Sequence, residues 1–185
     1  MNRWKPSDDV VLWLRQTYVY EPLTGHIRKG EKTVGGINTS SGGYIQIQLT
    51  NTRLQVRRNV QAHCLAWFLY YGVWPIADID HHDLNKINNK LDNLRLASES
   101  QNCANRIKQS LMLGKKCLSS FKGVTKHKCS QKWVAAIGHN NRLLYIGSFH
   151  DEVEAAKAYD LEAVRLFGEY ARTNFGSVST TTVTK

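Results

Sequence analysis

The chain of 185 residues is 42% hydrophobic and 22% charged, with five Trp, eight Tyr and five Phe. That is enough apolar material for one large domain or two small ones and too much for a disordered chain. Twenty-five Lys and Arg against 15 Asp and Glu give a formal charge of +10, which favours polyanionic partners, nucleic acid ahead of an anionic membrane. The longest apolar run, Ala62 to Trp74, is interrupted by His63 and Gly72 and falls short of the roughly 20 residues that span a bilayer, so no membrane segment is expected. The opening Met1-Asn2-Arg3-Trp4-Lys5-Pro6 has no apolar core before a cleavage site, and an intracellular location is expected. Cys64, Cys103, Cys117 and Cys129 lack Cys-x-x-Cys spacing and read as reduced thiols, which argues against a zinc finger.

In chain order, Leu12 to Tyr20 reads as a strand, Pro22-Leu23-Thr24-Gly25 as a turn and His26-Ile27-Arg28 as a second strand. Tyr44-Ile45-Gln46-Ile47-Gln48-Leu49 alternates at the period of a half-buried strand. Val60 to Tyr71 reads as a core helix closed by Gly72. Ser98 and Gln101 stand at capping-box spacing and open a helix to about Lys108. Gly114-Lys115-Lys116 and Ser119-Ser120 form a basic connector. Strands near Gly123 to Thr125, Trp133 to Ile137 and Leu143 to Ile146 follow, then a helix from Asp151 to Phe167. The tail Ser177 to Lys185 carries no pattern of a packed element.

Chemistry concentrates between Ile76 and Asn102. Asp80-His81-His82-Asp83 precedes Asn85, Asn88, Asn89, Asp92, Asn93 and Arg95; His81 to Asn93 is 12 positions and Asn93 to Asn102 nine. A strand, strand, helix arrangement would bring Asp80, His81, Asn93 and Asn102 to one centre. Mg²⁺ prefers oxygen ligands and keeps several waters, so Asp80 and the Asn102 side-chain oxygen suit it. Imidazole, with an ordinary pKa of about 6.5, suits a general base at His81. Asn93 would hold the ring through its other nitrogen and Arg95 would brace a phosphate. His82 reads either as a strand residue facing away or as a phosphate contact. Zinc is a weaker fit, because no Cys lies between Ile79 and Gln101.

Over most of Tyr18 to Asn105 the chain resembles the HNH endonucleases, in the asparagine-ended form found in phage homing endonucleases. Asp80-His81, Asn88-Asn89, Asp92-Asn93-Leu94-Arg95 and Ser100-Gln101-Asn102 carry the likeness, helped by Tyr20-Glu21-Pro22-Leu23-Thr24-Gly25, Gly43-Tyr44 and His63-Cys64-Leu65-Ala66-Trp67. Leu84 stands where the family often has Gly. The resemblance implies a ββα-metal core over about 76–108 within a β-rich module at 1–108, one Mg²⁺ or Mn²⁺ per site, and phosphodiester hydrolysis by His81, Asn93 and Arg95 with Asp80 and Asn102 as metal ligands. It also implies a phage gene acting in the cytoplasm of a bacterial host.

Ser119-Ser120-Phe121-Lys122-Gly123-Val124, Lys132-Trp133-Val134-Ala135-Ala136-Ile137, Leu144-Tyr145-Ile146-Gly147-Ser148-Phe149, Ala155-Ala156-Lys157-Ala158-Tyr159-Asp160 and Gly168 to Phe175 form a second ordered series. It closely resembles the ethylene-response-factor (ERF) DNA-binding domain, which implies three antiparallel strands packed on one helix, with the sheet in the major groove of double-stranded DNA. Independently, Ser119 to Tyr145 holds five basic residues and no acid, whereas Asp151 to Glu169 holds six acids. The DNA contacts implied are Lys122, Lys126, Lys128, Lys132, Trp133, Arg142 and Tyr145, with sheet packing as the other reading of Trp133 and Tyr145. Arg57 and Arg58 in the first module follow the DNA backbone or serve solubility.

The sequence therefore reads as α+β: a nuclease module at 1–108, a basic linker at 109–118, an ERF-type domain at 119–176 and a tail at 177–185. A site-preferring, metal-dependent DNA endonuclease is expected, monomeric in solution, with no membrane or small-molecule substrate. A DNA-binding regulator with an inert nuclease site is the alternative.

Overall fold

The computed structural model describes residues 4–108, 111–112 and 115–176. The chain divides into two compact units, Met1–Ala97 and Ser98–Lys185. Both mix helix with small antiparallel sheets.

The first unit opens with helix α1 (Asp8–Thr17), not the strand that the apolar periodicity of Leu12 to Tyr20 suggests. Asp8 and Asp9 complement the positive end of the helix. Val10 and Leu14, one turn apart, are buried together, and only Val19–Glu21 remains extended, as β1. β1 pairs with β2 (His26–Lys29), and β2 with β3 (Lys32–Thr33). A second sheet joins β4 (Gly36–Asn38), β5 (Tyr44–Asn51) and β6 (Val56–Gln61). Its inner face sends Ile47, Leu49 and Val60 into the core. Helix α2 (Ala62–Tyr71) adds Leu65, Ala66 and Phe68, and Gly72 ends it in the left-handed conformation at φ +79°. The hairpin of β7 (Asp78–His81) and β8 (Leu94–Ala97) closes the unit.

The second unit begins with α3 (Glu99–Asn105), capped as the sequence indicates: Ser98 Oγ accepts from Gln101 N and the Gln101 side chain returns to Ser98 N. The helix ends three residues before Lys108. Contacts place α3 with the second unit, whereas the sequence reading counts it in the 1–108 module. Ala104 packs with Ile137, Tyr159, Ala163 and Phe167, and its carbonyl accepts from Lys122 Nζ and Arg172 N. β9 (Leu111–Met112) pairs with β10 (Lys115–Lys116) inside the segment read as a linker, the rest of which lies partly outside the described residues. The tail 177–185 lies outside them altogether.

β11 (Val124–Lys126), β12 (Trp133–His139) and β13 (Arg142–Phe149) form an antiparallel sheet, and α4 (Glu152–Phe167) covers one face. Ala155, Ala156 and Ala163 are the small residues that let α4 approach closely. Gly123, at φ +74°, admits no side chain, since a Cβ there would lie 1.9 Å from the Tyr159 ring. Buried Asp160 accepts from the backbone N–H groups of Asn174 and Phe175 and from Asn174 Nδ2, and Asn174 Oδ1 accepts from Lys122 N at 2.6 Å. One carboxylate thus ties the strand β11 end of the unit to the chain after α4.

Candidate active site and nucleic-acid interface

In the β7–β8 hairpin Asp80 stands directly opposite Arg95. The Arg95 Nε and Nη2 both donate to Asp80 Oδ2, at 3.0 and 2.9 Å, with Asp80 only 5% exposed. The sequence reading gives Arg95 to the phosphate; here it neutralises and orients the carboxylate beside it. Arg95 is thereby a positioning residue for Asp80.

His81 is 4% exposed and surrounded by rings: His63 lies edge-on at 5.1 Å and Tyr44 at 5.8 Å. His81 Nε2 lies 3.0 Å from Asn89 Oδ1. An amide oxygen only accepts, so Nε2 carries the proton and the lone pair resides on Nδ1. Burial lowers the pKa of His81, outweighing the opposite pull of the Asn89 bond and of Asp83 and Asp80, so the imidazole is neutral at pH 7. His63 is pushed down to about 3, first by burial and then by His81, and stays uncharged beside it.

Asn93 does not orient His81. Its Nδ2 donates to Asp83 Oδ1 at 2.9 Å and to Asn88 O at 2.8 Å, and its Oδ1 accepts from Asp83 N at 2.9 Å. It therefore fixes the loop between the two strands, and Asn89 takes the role that the 12-residue spacing suggests for Asn93. Partial burial alone would raise the Asp83 carboxyl, but donors from Asn88, Asn85 N and Asn93 together hold its pKa below the ordinary value. Leu84 enters the turn at φ +66°, the conformation Gly would adopt there without strain. His82 is exposed, and its N–H donates to Asn93 O at 3.0 Å.

The loop is braced from the N-terminal turn. Tyr20 Oη donates to Asn89 O at 2.7 Å, and Leu91 N donates to Pro22 O. Gly25, at φ +77°, would place a Cβ 2.6 Å from Asn89 C and Lys90 N. Lys86 Nζ donates to Gly42 O at 2.8 Å and sits 5.1 Å from the Tyr44 ring centroid. Sequence reasoning missed Asn89, Tyr20, Tyr44 and His63 as parts of the His81 environment. The Gly25 turn and the Asn89 position were visible, but their pairing across 64 residues was not.

For a divalent cation, the first unit offers Asp80 as a buried carboxylate already braced by Arg95. No group of three or more His, Cys, Asp or Glu able to hold a metal occurs among the described residues. A lone carboxylate fits Mg²⁺, which prefers oxygen, takes few protein ligands and retains water, better than zinc. Asn102 lies on α3, in the second unit.

On the second unit's sheet, the face away from α4 carries exposed Tyr145, whose Oη donates to Ser148 Oγ at 2.8 Å. Arg142, Lys126 and Lys128 are exposed and Lys132 half-buried. Trp133 instead packs on the helix side with Val124, Ala135 and Ala155, under Lys126 Nζ at 5.4 Å. Of its two readings, sheet packing is the one the structure realises. Lys122 is likewise removed from the implied DNA contacts: its Nζ donates to Ala104 O, and burial lowers its pKa to about 8. In the first unit Arg57 is exposed on β6, and Arg58 lies 5.2 Å over the Trp4 ring.

Residues 60–104 match the HNH endonuclease family, a stretch containing Asp80, His81, Asn93, Arg95 and Asn102. The chain is also 48% identical over 63 residues to APETALA2-like protein 2 of Oryza sativa subsp. indica, covering 33% of this chain and 14% of that protein. To the AP2-like ethylene-responsive transcription factor PLT2 of Arabidopsis thaliana it is 46% identical over 59 residues, 31% of this chain and 10% of the relative. To the AP2-like ethylene-responsive transcription factor ANT of the same plant it is 27% identical over 176 residues, 94% of this chain and 28% of the relative. The chain thus spans only a tenth to about a quarter of the length of these relatives. It carries an HNH endonuclease domain at 60–104, and the plant similarities support an AP2/ERF-type DNA-binding domain.

Proposed function

We propose that the chain is a divalent-metal-dependent DNA endonuclease of the homing type, targeted by its second unit to double-stranded DNA. The observation that carries this reading is a buried, neutral His81 whose Nε2 is engaged by Asn89, beside the Asp80–Arg95 pair and within the stretch matching HNH endonucleases. Nδ1 takes a proton from water, the resulting hydroxide forms a bond to phosphorus, and the bond to the 3′ oxygen breaks, the 3′ oxyanion taking a proton from solvent while His81 returns its own to solvent, which leaves a 5′-phosphate and a 3′-hydroxyl. Asp80 and Asn102 would hold Mg²⁺ or Mn²⁺, which when bound neutralises charge on the phosphate and stabilises the departing oxygen. Asn89 and Tyr20 keep the base in register, Asn93 shapes the loop, and Arg95 positions Asp80. A site-preferring activity, a phage origin and a bacterial cytoplasm belong to this reading through the resemblance alone, and one site per monomer implies nicking unless two copies meet.

The test is conversion of supercoiled plasmid to open-circle or linear DNA with Mg²⁺, Mn²⁺ or chelator, comparing wild type with His81→Ala and Asn102→Ala. Metal-dependent cutting lost in both variants is the expected result. One observation favours a second reading, a DNA-binding regulator with an inert site: the Asp80 oxygen nearest Arg95 already holds two guanidinium hydrogens. DNA binding without cutting under every metal condition would select it.

A further inference from the structure

The C-terminal end of α2 departs from what a solvated helix end carries. Its last turn holds no Lys or Arg to answer the negative end of the helix and presents Tyr70 and Tyr71 instead, 51% and 49% exposed. The cation comes from α1: Arg15 Nη2 donates to Gly72 O at 3.0 Å, and its guanidinium carbon lies 5.8 Å from the Phe68 ring centroid. Tyr71 lies against Trp67 with ring centroids 4.3 Å apart, and Tyr70 meets Tyr71 edge-on at 4.9 Å. Arg15, Tyr70 and Tyr71 line a cleft of about 490 Å³ together with Tyr18, Val19 and Tyr20. No acidic residue lines it, and Arg15 meets no carboxylate among the described residues.

We infer that this cleft holds one unpaired nucleobase of the bound DNA, stacked on Tyr70 and Tyr71, with the adjoining phosphate on Arg15. The site rests on the reading of the chain as a DNA endonuclease and names the DNA it favours, a duplex with one nucleobase out of the stack. A nucleobase offers a flat face to aromatic rings, and it brings its own anion to a guanidinium that keeps donors beyond the one spent on Gly72. The volume falls within the range of about 300 to 1,000 Å³ that small ligands occupy. A second copy of this chain is the poorer occupant, because a two-fold contact would bring two Arg15 side chains into one interface whose lining holds no carboxylate. Tyr20 connects the cleft to the proposed reaction: the same residue lines it and donates to Asn89 O, in the loop that engages His81. A filled cleft therefore bears on the brace that holds this loop.

The test uses the full chain in chelator, where binding is read independently of cutting, and two duplexes that differ by one unpaired 2-aminopurine bulged from the centre of one strand. Wild type should bind the bulged duplex about 5- to 150-fold more tightly than the paired one, as expected for one stacked nucleobase that has already left the helix, and should quench its fluorescence. Tyr70→Ala/Tyr71→Ala should lose both the preference and the quenching while binding paired DNA as wild type does. Tyr70→Phe/Tyr71→Phe, which keeps the ring faces, should retain both. Arg15→Gln should weaken binding of the bulged duplex and lower its salt slope by about one. Equal affinity of wild type for the two duplexes, an Ala variant that keeps the preference, a Phe variant that loses it, or an unchanged salt slope in Arg15→Gln would each overturn the inference. Self-association of wild type that the Ala variant abolishes would overturn it too, by giving the cleft to a second copy. If the double Ala variant melts early, Tyr70→Ala decides alone: it truncates a half-exposed ring, and an undiminished preference defeats the inference. A failed nuclease reading would appear as absent cutting of paired plasmid in metal and would leave these binding results untouched.

Discussion

The contact between His81 Nε2 and Asn89 Oδ1 bears the most direct consequence for the proposed cleavage reaction. In Asn89→Ala the buried Nε2–H loses its acceptor, an unsatisfied donor that costs about 1–3 kcal/mol, and the proton is no longer confined to Nε2. With 1.36 kcal/mol per decade of rate, kcat should fall roughly 10- to 100-fold, against the roughly 10²- to 10⁴-fold expected when His81→Ala removes the base altogether. DNA affinity should be unchanged, because Asn89 is 2% exposed and offers no surface to a duplex. Single-turnover cleavage with saturating enzyme, with Kd measured separately in chelator, separates the two quantities. Asn89→Asp, which restores an acceptor of the same shape, should recover part of the rate. A kcat for Asn89→Ala within twofold of wild type, or a loss carried by Kd, would refute the positioning argument.

Three further outcomes follow from local geometry. Leu84→Gly relieves a left-handed leucine worth about 1–2 kcal/mol, less the entropy that glycine adds to the unfolded chain, so a melting temperature higher by about 1–4 °C is expected in calorimetry. Gly25→Ala meets both a positive φ and the Asn89 backbone at 2.6 Å; it should slow cleavage through displaced Asn89 while DNA binding persists, and wild-type kcat would show that the turn does not hold the loop. For Lys122 the folded pKa of about 8 lies below the ordinary 10.5, so between these values the unfolded chain binds the proton that the folded chain has released, and stability rises with pH across that window. At 1.36 kcal/mol per unit this is roughly 3 kcal/mol, reduced by solvent screening to about 1–2 kcal/mol; Lys122→Met should flatten urea-unfolding stability between pH 8 and 10 and raise it at pH 7.

The parts of the fold legible in the sequence were those written in local patterns. The Ser98–Gln101 capping box, the Gly72 helix end, the Asp151 start of α4 and the alternation of β5 all use signals within one turn or one strand, and the structure contains each of them. Helix α1 was misread because Leu12 to Tyr20 straddles the end of a helix and the start of a strand, and the acidic first turn at Asp8-Asp9 lay before the window. The composition of the site was equally legible, since Asp80, His81, Asn89, Asn93 and Arg95 stand within sixteen residues. Which amide serves His81 was not, because Asn89 and Asn93 are alike in chemistry. Only the loop path, set by Asp83 and by contacts from Tyr20 and Gly25, turns Asn89 inward and leaves Asn93 to hold Asp83 and Asn88.

The family match from 60 to 104 crosses the division between compact units at Ala97 and Ser98. A motif continuous along the chain therefore does not delimit a folding unit. Helix α3 is seven residues long, too short to persist by propensity alone, and needs tertiary packing to stay helical. The packing described for it is Ala104 against Tyr159, Ala163 and Phe167, with Lys122 and Arg172 N–H satisfying the Ala104 carbonyl and Ser100 Oγ accepting from Asn140 N. All of those partners come from the segment that resembles a DNA-binding domain. Lys122, which the charge pattern offered to DNA, donates through Nζ to the carbonyl of Ala104 on this helix. Asn102 thus depends for its helical backbone on the binding unit, so the amide proposed as a metal ligand and the surface proposed to grip DNA share one core.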